Sequence, residues 1–174
     1  MKDILISEIK EQPEVIHQLI EKETSNIQSI AEKVNGIFKY ILIAARGTSD
    51  NAARYAQYVL GAFNRIQVAL ATPSLFTIYD SPPDLSEALV LGISQSGQSP
   101  DIISVLEEAK KQNRPTLCIT NNPKSPLAST SDFVITLHAG SEKAVAATKT
   151  YTSSLISIAL FSTALAKDNN RLNE

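Results

Sequence analysis

The sequence predicts a three-layer, doubly wound α/β domain on a five-stranded parallel sheet of order 2-1-3-4-5. Three observations predict it: apolar runs that do not alternate with polar residues, helical patterns between successive runs, and a length of 174 residues that suits one core. A strand covered on both faces reads as a continuous apolar run, and parallel neighbours need a crossover, usually a helix, between them.

The elements follow in chain order. From about residue 7 to 35, Val15, Ile16, Leu19, Ile20, Ile27, Ile30, Ala31 and Val34 recur at helical spacing and stop at Asn35-Gly36, predicting one amphipathic helix or two. Strands are predicted at 40–45, 66–71, 88–93, 116–120 and 133–137. Helices are predicted between them at about 50–63, 73–78, 100–112 and 125–130, and a long one from about 144 to 166 closes the pattern. The expected organisation is an N-terminal helical segment (1–36), the α/β domain (37–166) and a short tail (167–174).

Composition narrows the function. A formal charge of −2 with 6% aromatic residues supplies neither the basic field nor the stacking surface of a nucleic-acid binder. The stretch from Tyr151 to Ala166 is too short and too rich in Ser and Thr to span a membrane. The first residues read as a charged helix rather than a secretory signal, and the single Cys118 has no internal disulfide partner, so a cytoplasmic location is expected. No Cys/His/carboxylate cluster has metal-ligand spacing, and neither a metal nor a cofactor is expected.

Two turns carry the chemistry. Ser94-Gln95-Ser96-Gly97-Gln98-Ser99 follows the third apolar run and leads into a helix opening at Pro100-Asp101. Hydroxyls, an amide and a flexible glycine there meet the positive end of a helix, whose first N–H groups lack intrahelical partners. Arg46-Gly47-Thr48-Ser49 repeats the design after the first run, before a helix expected near Asp50. In the order 2-1-3-4-5, strands 1 and 3 are neighbours whose crossovers leave to opposite faces, so both turns should open on one crevice. There is no Gly-x-Gly-x-x-Gly after strand 1 and no Gly-Lys-Ser/Thr, which points to a small phosphorylated ligand rather than a dinucleotide or nucleoside triphosphate. The alternative is that Ser49 and Ser99 are ordinary N-caps and the glycines ordinary turn residues.

Ile93-Ser94-Gln95-Ser96-Gly97, Gly47-Thr48-Ser49, and His138-Ala139-Gly140-Ser141-Glu142 followed by Val145-Ala146-Ala147-Thr148-Lys149 together resemble a sugar isomerase (SIS) domain. The resemblance, from about Gln12 to Leu165, is closest to the first of two such domains in the isomerase half of the glucosamine-6-phosphate synthases, and to related sugar-phosphate isomerases and deaminases. It implies a flavodoxin-like sheet and a phosphorylated sugar or amino sugar as ligand. Thr48 would touch the phosphosugar, Ser94, Gln95, Ser96 and Ser99 would hold the phosphate, and the Val145 backbone would approach the sugar. Arg46 departs from the Cys common in the synthases and matches the Arg-Gly-Ser/Thr-Ser-Asp of isomerase-like and deaminase-like relatives.

Catalysis is less well supplied. Moving a proton between adjacent sugar carbons needs a general base, and the closing helix has no carboxylate between Ala144 and Ala166. The family's base lies in the second SIS domain or a neighbouring subunit, so the chain is expected to be a binding half, perhaps part of a longer protein, pairing with a second copy or a second SIS domain. A non-catalytic sugar-phosphate sensor is the alternative. Glu142 and His138 are the weak catalytic candidates. Lys149 is expected to hydrogen-bond a helix or interface, Cys118 to fill the core, and His17 to lie on the surface. The closing helix carries apolar residues round more than one face, which predicts that it is buried against something, in a second copy by expectation.

Overall fold

The computed structural model describes residues 2–166; the predicted tail at 167–174 lies outside the described residues. Five parallel strands, β1 (Tyr40–Ala45), β2 (Gln67–Leu70), β3 (Ala88–Ile93), β4 (Thr116–Thr120) and β5 (Phe133–Thr136), form one sheet in the order β2-β1-β3-β4-β5. Helices α1 (Lys2–Val34), α2 (Thr48–Asn64), α3 (Ser74–Thr77), α4 (Pro100–Lys111), α5 (Pro126–Thr130) and α6 (Lys149–Leu165) complete it.

Successive side chains of a strand point to opposite faces, and each strand here feeds two cores. On one face Ile41, Ile43, Leu89, Leu91, Ile93, Leu117, Ile119 and Ile135 pack with apolar residues of α1, α2 and α6. On the other, Leu42, Ala44, Ala88, Val90 and Cys118 pack with those of α4 and α5. β3, the central strand, is buried along its whole length. Gly92 sits there because a Cβ would lie 3.0 Å from Leu106 Cδ1 and 3.2 Å from Ile102 Cγ2, so α4 approaches closely where the side chain is missing.

Because α2 covers one face and α4 the other, the chain diverges after β1 and after β3, and a crevice opens between them at the carboxyl ends of those strands. The switch point read from the sequence is present.

Three helix boundaries differ from expectation. Of the one helix or two expected at the N-terminus the structure has one, α1, which starts at Lys2 rather than near residue 7 and runs through Pro13. α2 begins at Thr48 rather than near Asp50, because Gly47 takes a φ of 57° that ends the preceding turn and places it at the N-cap. α6 begins at Lys149 rather than 144: residues 144–148 form a loop, and Val145 is 94% exposed.

The breadth of the apolar surface on α6 has an explanation inside the fold. α6 packs against both α1 and α2, burying Ile158 and Phe161. Asn64 at the end of α2 donates Nδ2–H to the Ser162 carbonyl at 2.8 Å. The serines at 153, 154, 157 and 162 are buried and small enough to let the helices come close. Among the described residues no helix is long and apolar enough to cross a membrane.

Candidate functional site

A cavity of about 300 Å³ lies at the carboxyl ends of β1 and β3. Arg46, Thr48 and Ser49 line it from the β1–α2 turn, Ser94, Gln95 and Ser96 from the β3–α4 turn, and Glu142 and Val145 from the β5–α6 loop. Thr150, Tyr151 and Ser154 of α6 close the remaining side. The two hydroxyl-bearing turns therefore share one crevice, as expected.

The β3–α4 turn is held from behind. Ser94 donates its N–H to the Ile119 carbonyl at 3.1 Å, and the Gln95 carbonyl accepts from Asn121 N–H at 3.0 Å. Leu127 N–H donates to the Gly97 carbonyl at 3.1 Å, and Gly97 N–H donates to Ser94 Oγ at 3.2 Å. Gly97 has a φ of 63°, and a Cβ there would lie 2.1 Å from Ser125 Oγ, so both conformation and space require glycine.

The N-cap alternative holds by position for Ser99 and not for Ser49. Ser99 occupies the N-cap position of α4 in an extended conformation and makes no side-chain cap hydrogen bond. Ser49 lies inside α2, whose N-cap is Gly47. Gly47, Gly97 and Ser99 shape the two turns without lining the cavity, whereas Thr48, Ser49, Ser94, Gln95, Ser96 and Val145 line it.

Among the described residues, two charged side chains line the cavity. Arg46 Nη2 lies 2.6 Å from Asp101 Oδ2, tying the first turn to the first turn of α4 across the crevice. The other is Glu142. One carboxylate oxygen accepts from Thr148 N–H at 3.0 Å, Thr148 Oγ1 at 3.2 Å and Thr150 N–H at 3.2 Å, and the second accepts from the Thr150 hydroxyl. Burial by itself would raise the Glu142 pKa; the donors from Thr150 and Thr148 outweigh it and hold the carboxyl below its ordinary value. An anion at a helix N-terminus is also favoured by the exposed N–H groups there. This explains the start of α6: Glu142 collects the amides that an earlier helix start would have turned inward.

His138 is not at the crevice. It adopts a φ of 51°, and its Nε2 lies 2.8 Å from Glu23 Oε1 on α1; Asn26 Nδ2–H donates to the other Glu23 oxygen at 2.7 Å and to the Val134 carbonyl at 2.9 Å. The ring serves to fasten α1 beside β5. Lys149 is buried, with Nζ 2.7 Å from Glu11 Oε2 and donating to the Ser141 carbonyl at 2.9 Å. His17 is exposed beside Glu21, and Cys118 is buried mid-strand with its thiol pushed up to about 11 by burial.

The sequence reading did not find the α6 lining, Thr150, Tyr151 and Ser154. A serine- and threonine-rich helix start was the available signal. It also assigned no role to Glu8, Glu11 or Gln12 of α1, which reach the loop at 141–148 and the first turn of α6.

A family model described as the SIS domain matches residues 39–164. The glutamine–fructose-6-phosphate aminotransferase (isomerizing) of Francisella tularensis subsp. tularensis is 32% identical over 99% of the chain, which spans 29% of that relative's length. A crystal structure of a candidate phosphosugar isomerase from Silicibacter pomeroyi DSS-3 superposes with a TM-score of 0.91 at 33% identity, over 96% of this chain and 51% of that one. The Vibrio vulnificus NanR protein, solved in complex with ManNAc-6P, shares the fold at a TM-score of 0.79 and 17% identity, over 98% of this chain and 64% of its own.

Proposed function

The chain belongs to the SIS domain family, and from that premise we propose that it binds a phosphorylated sugar or amino sugar, of the fructose-6-phosphate or glucosamine-6-phosphate class, in the crevice between β1 and β3. The observation that carries the reading is the convergence of Thr48 and Ser49 with Ser94, Gln95 and Ser96 on one cavity, with Arg46 at its edge. A phosphate dianion held by such donors gains ~1.5–3 kcal/mol per charge-assisted hydrogen bond, so several are needed to offset the cost of immobilisation. The sugar then faces Glu142, Val145 and the first turns of α6.

In this reading the domain is the binding half of an isomerase, deaminase or aminotransferase type of enzyme. A general base must be ready to take a proton near neutral pH. Glu142 is committed to four hydrogen-bond donors and is held a weaker base than an ordinary carboxylate, and His138 faces Glu23. Isomerisation therefore takes its base from a second copy of the chain or a second SIS domain seated over the crevice. The second reading is a sugar-phosphate sensor without chemistry; the NanR protein, solved with ManNAc-6P, shares the fold.

Calorimetric titration tests the ligand. Glucosamine-6-phosphate should bind and glucosamine should not, and Thr48→Val with Ser96→Ala, one hydroxyl from each turn, should weaken binding by ~3–6 kcal/mol. Equal affinity for the two sugars refutes the phosphate site. Turnover of the sugar phosphate by the purified chain, abolished by Glu142→Gln, refutes the assignment of the base.

A further inference from the structure

Glu8 is 4% exposed, yet among the described residues its carboxylate pairs with no cationic side chain. One oxygen accepts from Lys143 N–H at 2.6 Å and the other from Ala144 N–H at 3.2 Å. One turn along α1, Glu11 Oε2 lies 2.7 Å from Lys149 Nζ, which also holds the Ser141 carbonyl, and Gln12 Oε1 accepts from Thr152 Oγ1 at 2.6 Å. Residues 8, 11 and 12 occupy one face of a helix. That face grips the β5–α6 loop at its start and α6 in its first turn.

A buried carboxylate is costly unless its lone pairs are filled. Here each carboxylate oxygen takes one donor, and both donors come from the backbone of a loop that has neither strand nor helix to fix it. Glu142 holds the far end of the same loop through Thr148 and Thr150. Between these two carboxylates the chain has one bridged span, residues 144–147, of which Ala144, Val145 and Ala147 line the cavity.

We propose that Glu8 is a positioning residue for ligand recognition: through the Lys143 and Ala144 amides it sets the wall of the crevice that faces the sugar, and leaves the two phosphate-facing turns untouched. The role rests on reading the crevice as a phosphosugar site. Among the described residues the β3–α4 turn makes its backbone hydrogen bonds to β4 and the segment after it rather than to α1. Loss of the Glu8 carboxylate therefore separates two recognitions that a general loss of stability would weaken together.

The test uses Glu8→Gln in the full chain, with amide exchange by NMR and calorimetry against two probes, glucosamine-6-phosphate and inorganic phosphate. Without ligand, the Lys143 and Ala144 amides should be protected in the unmutated protein, and the variant should lose at least ~10-fold of that protection while the amides of β3 keep theirs. Glucosamine-6-phosphate should bind the variant about 10-fold more weakly, and inorganic phosphate within twofold of the unmutated value. Unchanged affinity for the sugar phosphate, or an equal loss for both probes together with a lower melting temperature, overturns the positioning role. If the unmutated chain binds neither probe, the phosphosugar reading fails, while exchange at 143 and 144 still decides whether the grip exists. Should Glu8→Gln not fold, the unmutated chain decides: glucosamine-6-phosphate must slow exchange across 143–148 where phosphate does not, and an equal response to both overturns the proposal.

Discussion

Replacing Gly97 by alanine should be among the most damaging single-methyl changes available to this protein. Two separable costs meet there. The φ of 63° puts any residue with a Cβ in the left-handed region, at about 1–2 kcal/mol. The new methyl would lie 2.1 Å from Ser125 Oγ, 2.5 Å from Ser125 Cβ and 3.0 Å from Thr120 Oγ1, and overpacking of this kind costs typically ~1–3 kcal/mol. Together these give ~2–5 kcal/mol, or about 4–20 °C in melting temperature for a domain of this size. Gly36→Ala is the matched control: its φ is 84°, but no atom lies within 4 Å of the added methyl, so the conformational cost stands alone. Ser125→Gly removes the obstructing side chain and sacrifices only the Ser125 cap on Ala128 N–H, a loss of a few tenths of a kcal/mol for glycine at an N-cap. Denaturant unfolding of the two single variants and the double should show a coupling of ~1–3 kcal/mol, the double being more stable than the sum predicts. A Gly97→Ala variant no less stable than Gly36→Ala, with no coupling to residue 125, would refute the packing argument.

Glu142→Gln should flatten the acid side of the stability profile. Because the folded carboxyl is held below its ordinary value, its contribution is complete above the unfolded pKa and is lost as pH falls through the folded one, so the melting-temperature gap between wild type and variant should be widest near neutrality and close in acid. Cys118 should resist thiol reagents in the native state and react on unfolding, since burial raises its thiol to about 11; rapid native labelling would contradict the buried mid-strand placement. Arg46→Ala should change stability by less than about 1 kcal/mol, because its pair with Asp101 is largely exposed, yet should weaken phosphosugar binding measurably; a large loss of stability with unchanged binding would make the pair structural.

The five strands were legible because a doubly covered strand leaves an unbroken apolar signature, as in Ala88–Ile93, and because Gly, Ser and Thr cluster where such strands end. The two hydroxyl-bearing turns were legible by composition, although the groups that hold the second, Ile119, Asn121 and Leu127, come from β4 and the segment after it. What could not be read is whatever depends on a partner far along the sequence. Ala144-Val145-Ala146-Ala147 has the composition of a helix start, and the Glu142 carboxylate and the α1 contacts hold it as a loop. His138 follows the last strand on the side where an active-site residue would stand, but Glu23, 115 residues earlier, draws it away. Glu8 and Glu23 are two of several glutamates on a charged helix, and local spacing does not tell these buried two from their more solvated neighbours.

At 33 residues, α1 is about 50 Å long, and it couples the crevice rim to the edge of the sheet. A fragment cut at its C-terminal end would retain both hydroxyl turns and all five strands, so sequence comparison would still recognise it. It would also strip α1 from α6 and release the loop that Glu8 holds at Lys143 and Ala144, baring apolar surface and freeing the crevice wall at once. The smallest unit that keeps α6 covered and the crevice wall fixed is therefore larger than the smallest unit that can be identified, and the difference is this one helix.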